Sequence, residues 1–161
     1  MKPVIYKFET SEILRRASAL SSSLGASRTD EAGNILFEML SVTEDDYILV
    51  QQFLREAIPE IKSKLLAYSP NISFICRDDS EIIEAVCFRV VPHDDCSKQI
   101  LSDINELILN YFSYYVVFSW LSVKKPDEAA LFGTKANSFL DEISVLLNKR
   151  IKPITRKNRF F

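Results

Sequence analysis

His93-Asp94-Asp95-Cys96 concentrates more metal-ligating residue types than any other stretch of the chain, with an imidazole, two carboxylates and a thiol in four consecutive positions. Zinc could use every one of them, but tetrahedral sites draw their ligands from separated clusters, because neighbours in sequence rarely converge on one ion. No second cluster accompanies this one, and His93 is the only histidine. The stretch reads instead as a helix start, with Asp94 or Asp95 as N-cap and both acids at the positive end of the helix dipole. Glu44-Asp45-Asp46 and Asp78-Asp79 have the residue types for paired acid–base work. The first explains itself as a cap and the second as a turn. With 3 glycines in the chain, no Gly-rich phosphate loop can be built. No serine sits in a GxSxG elbow, and a Cys or Ser nucleophile would have His93 alone as its base. The expectation is a protein without catalytic residues, metal, cofactor or small-molecule substrate, and so not an enzyme.

Two other features carry interaction chemistry. The chain ends in NKRIKPITRKNRFF, in which Lys149, Arg150, Lys152, Arg156, Lys157 and Arg159 contribute +6 and no acid is present. The net charge is -2, so residues 1–148 carry -8. Pro153 opposes a continued helix, which predicts an extended arm. Three readings fit this arm: a solvated tail, a contact with nucleic-acid phosphates, or a peptide-like arm docking on an acidic subunit. Ile151, Ile154, Phe160 and Phe161 favour docking, since large apolar side chains are wasteful on a purely solvated tail. The second feature is the run Tyr111, Phe112, Tyr114, Tyr115, Phe118 and Trp120. It covers more of a helix circumference than one core face needs. Core packing is the plain reading; as anchors on an interface, Tyr111, Tyr114, Tyr115 and Trp120 are the candidates.

These residues must be positioned by a small set of elements. A chain of 161 residues, 47% hydrophobic with few Gly and Pro, predicts one folded unit richer in helices than in turns. We expect an α+β, predominantly α-helical fold: a helical bundle with one small antiparallel β-hairpin at about residues 72–91. The domain would span 1–150, followed by the arm at 151–161. Residues 3–8 are β-prone and could join the hairpin. Thr10 or Ser11 would cap a helix reaching about Leu24, with Gly25 at a left-handed C-cap and with Ile13, Leu14, Ala17, Leu20 and Leu24 inward. Arg15, Arg16 and the serines of this helix would point outward. Residues 35–40 read as a short helical turn. Thr43 with Asp46 approximates a capping box for a helix with Ile48, Phe53, Ala57, Ile61 and Leu65 buried, kinked or divided near Ala57 by Pro59. A long helix from about Cys96 to Lys124 follows the hairpin. Pro126 then opens a last helix, lined inside by Leu131, Phe132, Ala136, Phe139, Leu140, Ile143 and Leu147. Residues 107–123 are uncharged, but the serines and Asn110 within them favour a protein-covered helix over a membrane span. The three cysteines form no disulfide or zinc pattern, and the N-terminus has no signal-peptide core. Both points predict a reducing, intracellular setting.

The C-terminal third resembles a known class. A long aromatic helix containing YFSYYVVFSWL is followed by a Pro-Asp-Glu-Ala start at Pro126–Ala129, an amphipathic helix ending FLDEISVLLNKR, and the arm RIKPITRKNRFF. With the upstream TEDDYILVQQFLREAIPEI helix, this layout is similar to the head–tail connector, or adaptor, proteins of tailed phages and prophages. The resemblance covers residues 10–161 in layout, and 105–161 carry its specific part; the β-hairpin departs from the plainest all-helical connectors. It implies a non-enzymatic virion assembly protein that forms a ring below the portal and grips neighbouring subunits with a terminal arm. The arm residues would be Lys149, Arg150, Lys152, Ile154, Arg156, Lys157, Arg159, Phe160 and Phe161. The partners would be other copies and portal or tail proteins, with no membrane; the setting would be the bacterial cytoplasm during assembly, then the virion. The alternative from the residues alone is a small nucleic-acid-binding or regulatory protein using the same basic arm.

Overall fold

A computed structural model describes residues 3–31, 33, 36–65, 71–76, 82–91 and 97–148. The arm and the His93–Cys96 stretch lie outside these residues, as do Asp78-Asp79. The fold is α+β and predominantly helical, a helical bundle beside a small antiparallel sheet. In chain order it runs β1 (Val4–Glu9), α1 (Thr10–Ala26), α2 (Phe37–Leu40), a 3-10 turn (Glu44–Asp46), α3 (Tyr47–Leu65), β2 (Asn71–Cys76), β3 (Ile83–Val90), α4 (Lys98–Lys124) and α5 (Pro126–Asn148).

The expected hairpin is β2–β3, and β1 joins it on the other side to give the order β1-β3-β2. Alternation sets the faces. Tyr6 and Phe8 point inward from β1, and their register partners Phe88 and Val86 share that face. A bulge between Ile75 and Cys76 shifts the pairing so that Cys76 faces Ile83. Against the sheet lies α4, whose Phe112 ring stands 6.1 Å from Phe8 and 6.0 Å from Phe88. One contiguous apolar core links all five helices and the sheet.

α4 is capped by Ser97, whose Oγ accepts the Ile100 N–H at 3.2 Å. It therefore starts later than the sequence predicts, and neither Asp94 nor Asp95 is its N-cap. Lys125 breaks it, and Pro126 opens α5 at the first helical position as expected, with Asp127 and Glu128 in the first turn. On α5, Phe132, Ala136, Phe139, Leu140, Ile143 and Leu147 are buried. Leu131 is not: at 68% exposed it points about 100° away from Phe132 and off the inner stripe.

Other boundaries are corrected too. α1 runs through Gly25, which is buried and helical rather than left-handed, to Ala26. Glu9 is its N-cap without a side-chain cap bond, and Thr10 lies inside the helix with its hydroxyl donating to the Ile83 carbonyl at 2.7 Å. Ser21 is buried rather than outward, its Oγ accepting the Val42 N–H at 2.8 Å. At Thr43 the expected capping box forms, with the Asp46 carboxylate accepting both the Thr43 N–H and its hydroxyl at 2.9 Å. α3 continues through Pro59 as one helix. Pro59 lies on the exposed side, where water can replace the helical bond that proline removes. Ile48 is 83% exposed, because the inner stripe is set by Val50, Phe53, Leu54, Ala57, Ile58, Ile61 and Leu65, about 200° from it on the helical wheel.

Candidate functional site

The aromatic run of α4 divides among several neighbours, which explains why it covers so much of the helix. Tyr111 is fully buried and turned toward α3, where its hydroxyl lies 3.0 Å from the Ala57 carbonyl and 3.2 Å from the Glu60 carboxylate. Trp120 is buried and donates from Nε1 to the Leu40 carbonyl at 2.9 Å. Both are spent inside this chain, so neither is an interface anchor of the folded protein. Tyr114 is half-buried between Phe132 and Phe139 at 5.7 and 5.2 Å. Tyr115 is half-buried beside Tyr111 and Phe118. Of the four candidates, these two keep an accessible edge.

Burial, with the Glu60 carboxylate adding to it, pushes the Tyr111 phenol far above the usual tyrosine range. A folded-state pKa raised above the unfolded value means stability that is intact below pH 10 and declines as pH rises beyond it. Alkaline denaturation of wild type should therefore steepen above about pH 10. Tyr111→Phe should flatten that limb while costing about 1 kcal/mol at neutral pH for the lost hydroxyl bonds. An unchanged alkaline limb, measured by circular dichroism, would show that Tyr111 is not its source.

Reaction chemistry has little to work with among the described residues. No group of three His, Cys, Asp or Glu is placed to hold a metal, and Cys87 is a half-buried free thiol in the sheet. No helix among the described residues is long and apolar enough to cross a membrane. The surfaces are more informative, and the concave ones among the described residues include two beside α1.

The first lies between α1 and α5, about 480 Å³, floored by Tyr114 and Phe132 and lined by Leu20, Leu24, Leu131 and Lys135. The second, about 390 Å³, lies where α1 meets the start of α3 and is lined by Ser11, Leu14, Arg15, Ser18, Glu44 and Tyr47. Here the local geometry settles the charge. Glu12 holds Arg15 through two bonds of 2.9 Å and Arg16 through a third. Those arginine bonds depress the Glu12 carboxyl to about 2. Arg16 also reaches Glu106 and Asn110 of α4 at 3.1 Å, fixing the helix pair. Arg15 is thus neutralised, and Asp46 is occupied by Thr43. Glu44 and Asp45 are exposed and form no ion pair among the described residues. The 3-10 turn therefore projects two carboxylates beside the exposed Ile48 and Leu49, the latter 38% exposed.

Sequence reasoning placed Glu44–Asp46 as a cap and Ile48 in the core. Ile48, two residues past this turn, instead faces outward as Glu44 and Asp45 do. The signal available was the position of Ile48 only two residues before Val50. No protein-family model, curated protein or solved structure matches this chain.

Proposed function

We propose that this chain is a non-enzymatic assembly protein of a tailed phage or prophage, a head–tail connector that packs into a ring and grips a neighbouring subunit through its C-terminal arm. It acts in the bacterial cytoplasm during assembly and then in the virion. The observation that carries the reading is the separation of charge: -8 over residues 1–148 against +6 over 149–161. Opposite charge at two places on one chain suits head-to-tail association, which closes into a ring when the rotation between subunits allows it. The element order supports it as well. A long aromatic α4 turns at a single residue into a proline-started α5, which leads directly into the basic segment, as the resemblance to connectors expects.

Deleting residues 151–161 should abolish co-assembly with a portal ring, read by cosedimentation and by particle imaging, while the thermal unfolding of the body stays unchanged. A truncated chain that joins the ring normally overturns the reading. Steeply salt-dependent DNA binding that is lost with the same deletion, without any portal association, would point to the nucleic-acid alternative instead.

A further inference from the structure

We infer that the surface where α1 meets the start of α3 is the docking site for residues 149–161 of a second copy of this chain; the inference rests on the assembly reading and gives it a location. The surface is amphipathic in the sense the segment requires. Leu14 and Tyr47 line the groove with Glu44 and Arg15, the latter held by Glu12; Asp45 lies next to Glu44 in the same turn, and Ile48 follows them 83% exposed. The segment offers the complement: isoleucines at 151 and 154 and phenylalanines at 160 and 161, interleaved with six cations. An exposed isoleucine beside carboxylates offers such a partner both apolar burial and charge pairing.

Several carboxylates elsewhere are less available, and the groove between α1 and α5 is less suited. Glu12, Glu106, Glu128 and Asp141 are already paired with arginine or lysine of the same chain. The α1–α5 groove carries Lys135 on its wall, which would repel a cationic segment. The location also fits a second copy. Lys64 near the end of α3 pairs with Asp141 of α5 at 2.9 Å, so the root of the segment at Asn148 lies toward that end of α3. The acidic groove lies at the other end, 17 residues and about 25 Å along the helix. A donor at one end and an acceptor at the other is the arrangement that head-to-tail association needs.

The test uses full-length chains and reads self-association by sedimentation. Wild type should associate, and more weakly as salt is raised. Glu44→Lys with Asp45→Lys, and separately Arg156→Glu with Lys157→Glu, should each weaken association about tenfold. Mixing the two charge-reversed chains should restore it, because each supplies what the other lost. Ile48→Ser, on an exposed position that folding does not need, should weaken it while leaving the salt dependence unchanged, because it removes apolar burial and no charge. The proposal is overturned if wild type stays monomeric at every concentration, if the Glu44/Asp45 reversal leaves association unchanged, or if the mixture fails to recover. The two readings fail separately. Loss of portal assembly on arm deletion with an unaffected Glu44/Asp45 variant removes this site and keeps the connector. Recovery in the mixture without any portal binding keeps the site and removes the connector.

Discussion

Trp120→Ala is expected to cost about 3–5 kcal/mol of folding stability, the range for deleting a large buried aromatic. Against a typical domain stability of about 5–15 kcal/mol, that is a substantial share. Three losses coincide at this position. The side chain is buried in the core, so its removal leaves a cavity. Its Nε1 satisfies the Leu40 carbonyl at 2.9 Å. Its ring seats the Lys124 ammonium at 3.7 Å, from which Lys124 donates to the Met39 carbonyl at 3.0 Å. α2 is four residues long, far too short to persist alone. Its last carbonyls are held by these two α4 side chains. Trp120→Phe should cost less, about 1–2 kcal/mol, because it keeps most of the volume and removes only the donor. Amide exchange at Leu40, whose N–H bonds Leu36 at 3.1 Å, should quicken in both variants. Because this is the only tryptophan, unfolding must be followed by circular dichroism. Equal stability of Trp120→Phe and wild type would show that the indole donor contributes nothing.

The same residue shows what the sequence conceals. Trp120 and Leu40 are 80 positions apart, and Tyr111 and Ala57 are 54 apart. Local pattern reports periodicity and caps, so the inner face of α5, the Pro126 start, the β2–β3 hairpin and the Thr43–Asp46 contact were legible. It does not report which neighbour an aromatic meets. The run on α4 exceeds one face because α4 is covered on several sides: the sheet takes Phe112, α3 takes Tyr111, α5 takes Tyr114, and α2 takes Trp120. Core packing by a central helix, the plain reading of the surplus aromatics, accounts for Phe112, Tyr111 and Trp120. Ile48 and Leu131 failed in the opposite direction. Each lies within two positions of a stripe residue in sequence and well off the stripe in angle, so an apolar type alone placed them in the core. Of the proposed docking pair, the cationic partner was plain from charge, and the acidic one emerged only once Glu12 was seen to neutralise Arg15.

Gln51→Leu should cost about 2–3 kcal/mol, although leucine nearly matches glutamine in volume. In sequence Gln51 is an unremarkable polar residue beside Gln52. In the fold it is buried, and its amide bonds both the N–H and the carbonyl of Ile83. Its Nε2 donates to the Ile83 carbonyl at 2.9 Å, and its Oε1 accepts the Ile83 N–H at 2.7 Å. Thr10 and Tyr47 converge on the same carbonyl at 2.7 and 3.4 Å. One residue at the start of β3 therefore joins the starts of α1 and α3, whose meeting forms the proposed docking groove. Leucine would leave the buried Ile83 N–H without an acceptor, and the cost of a stranded donor exceeds that of a bond lost from both sides. Thr10→Val should cost less, because the carbonyl keeps Gln51 and Tyr47. Gln51→Glu makes the sharper test. Ionised, it would set a carboxylate against the Ile83 carbonyl; protonated, it could donate to that carbonyl and still accept the N–H. Burial raises its folded-state pKa, so the variant should regain stability as pH falls below that value. A flat pH response would mean that the side chain has swung out to water and that the joint at Ile83 does not hold the groove in shape.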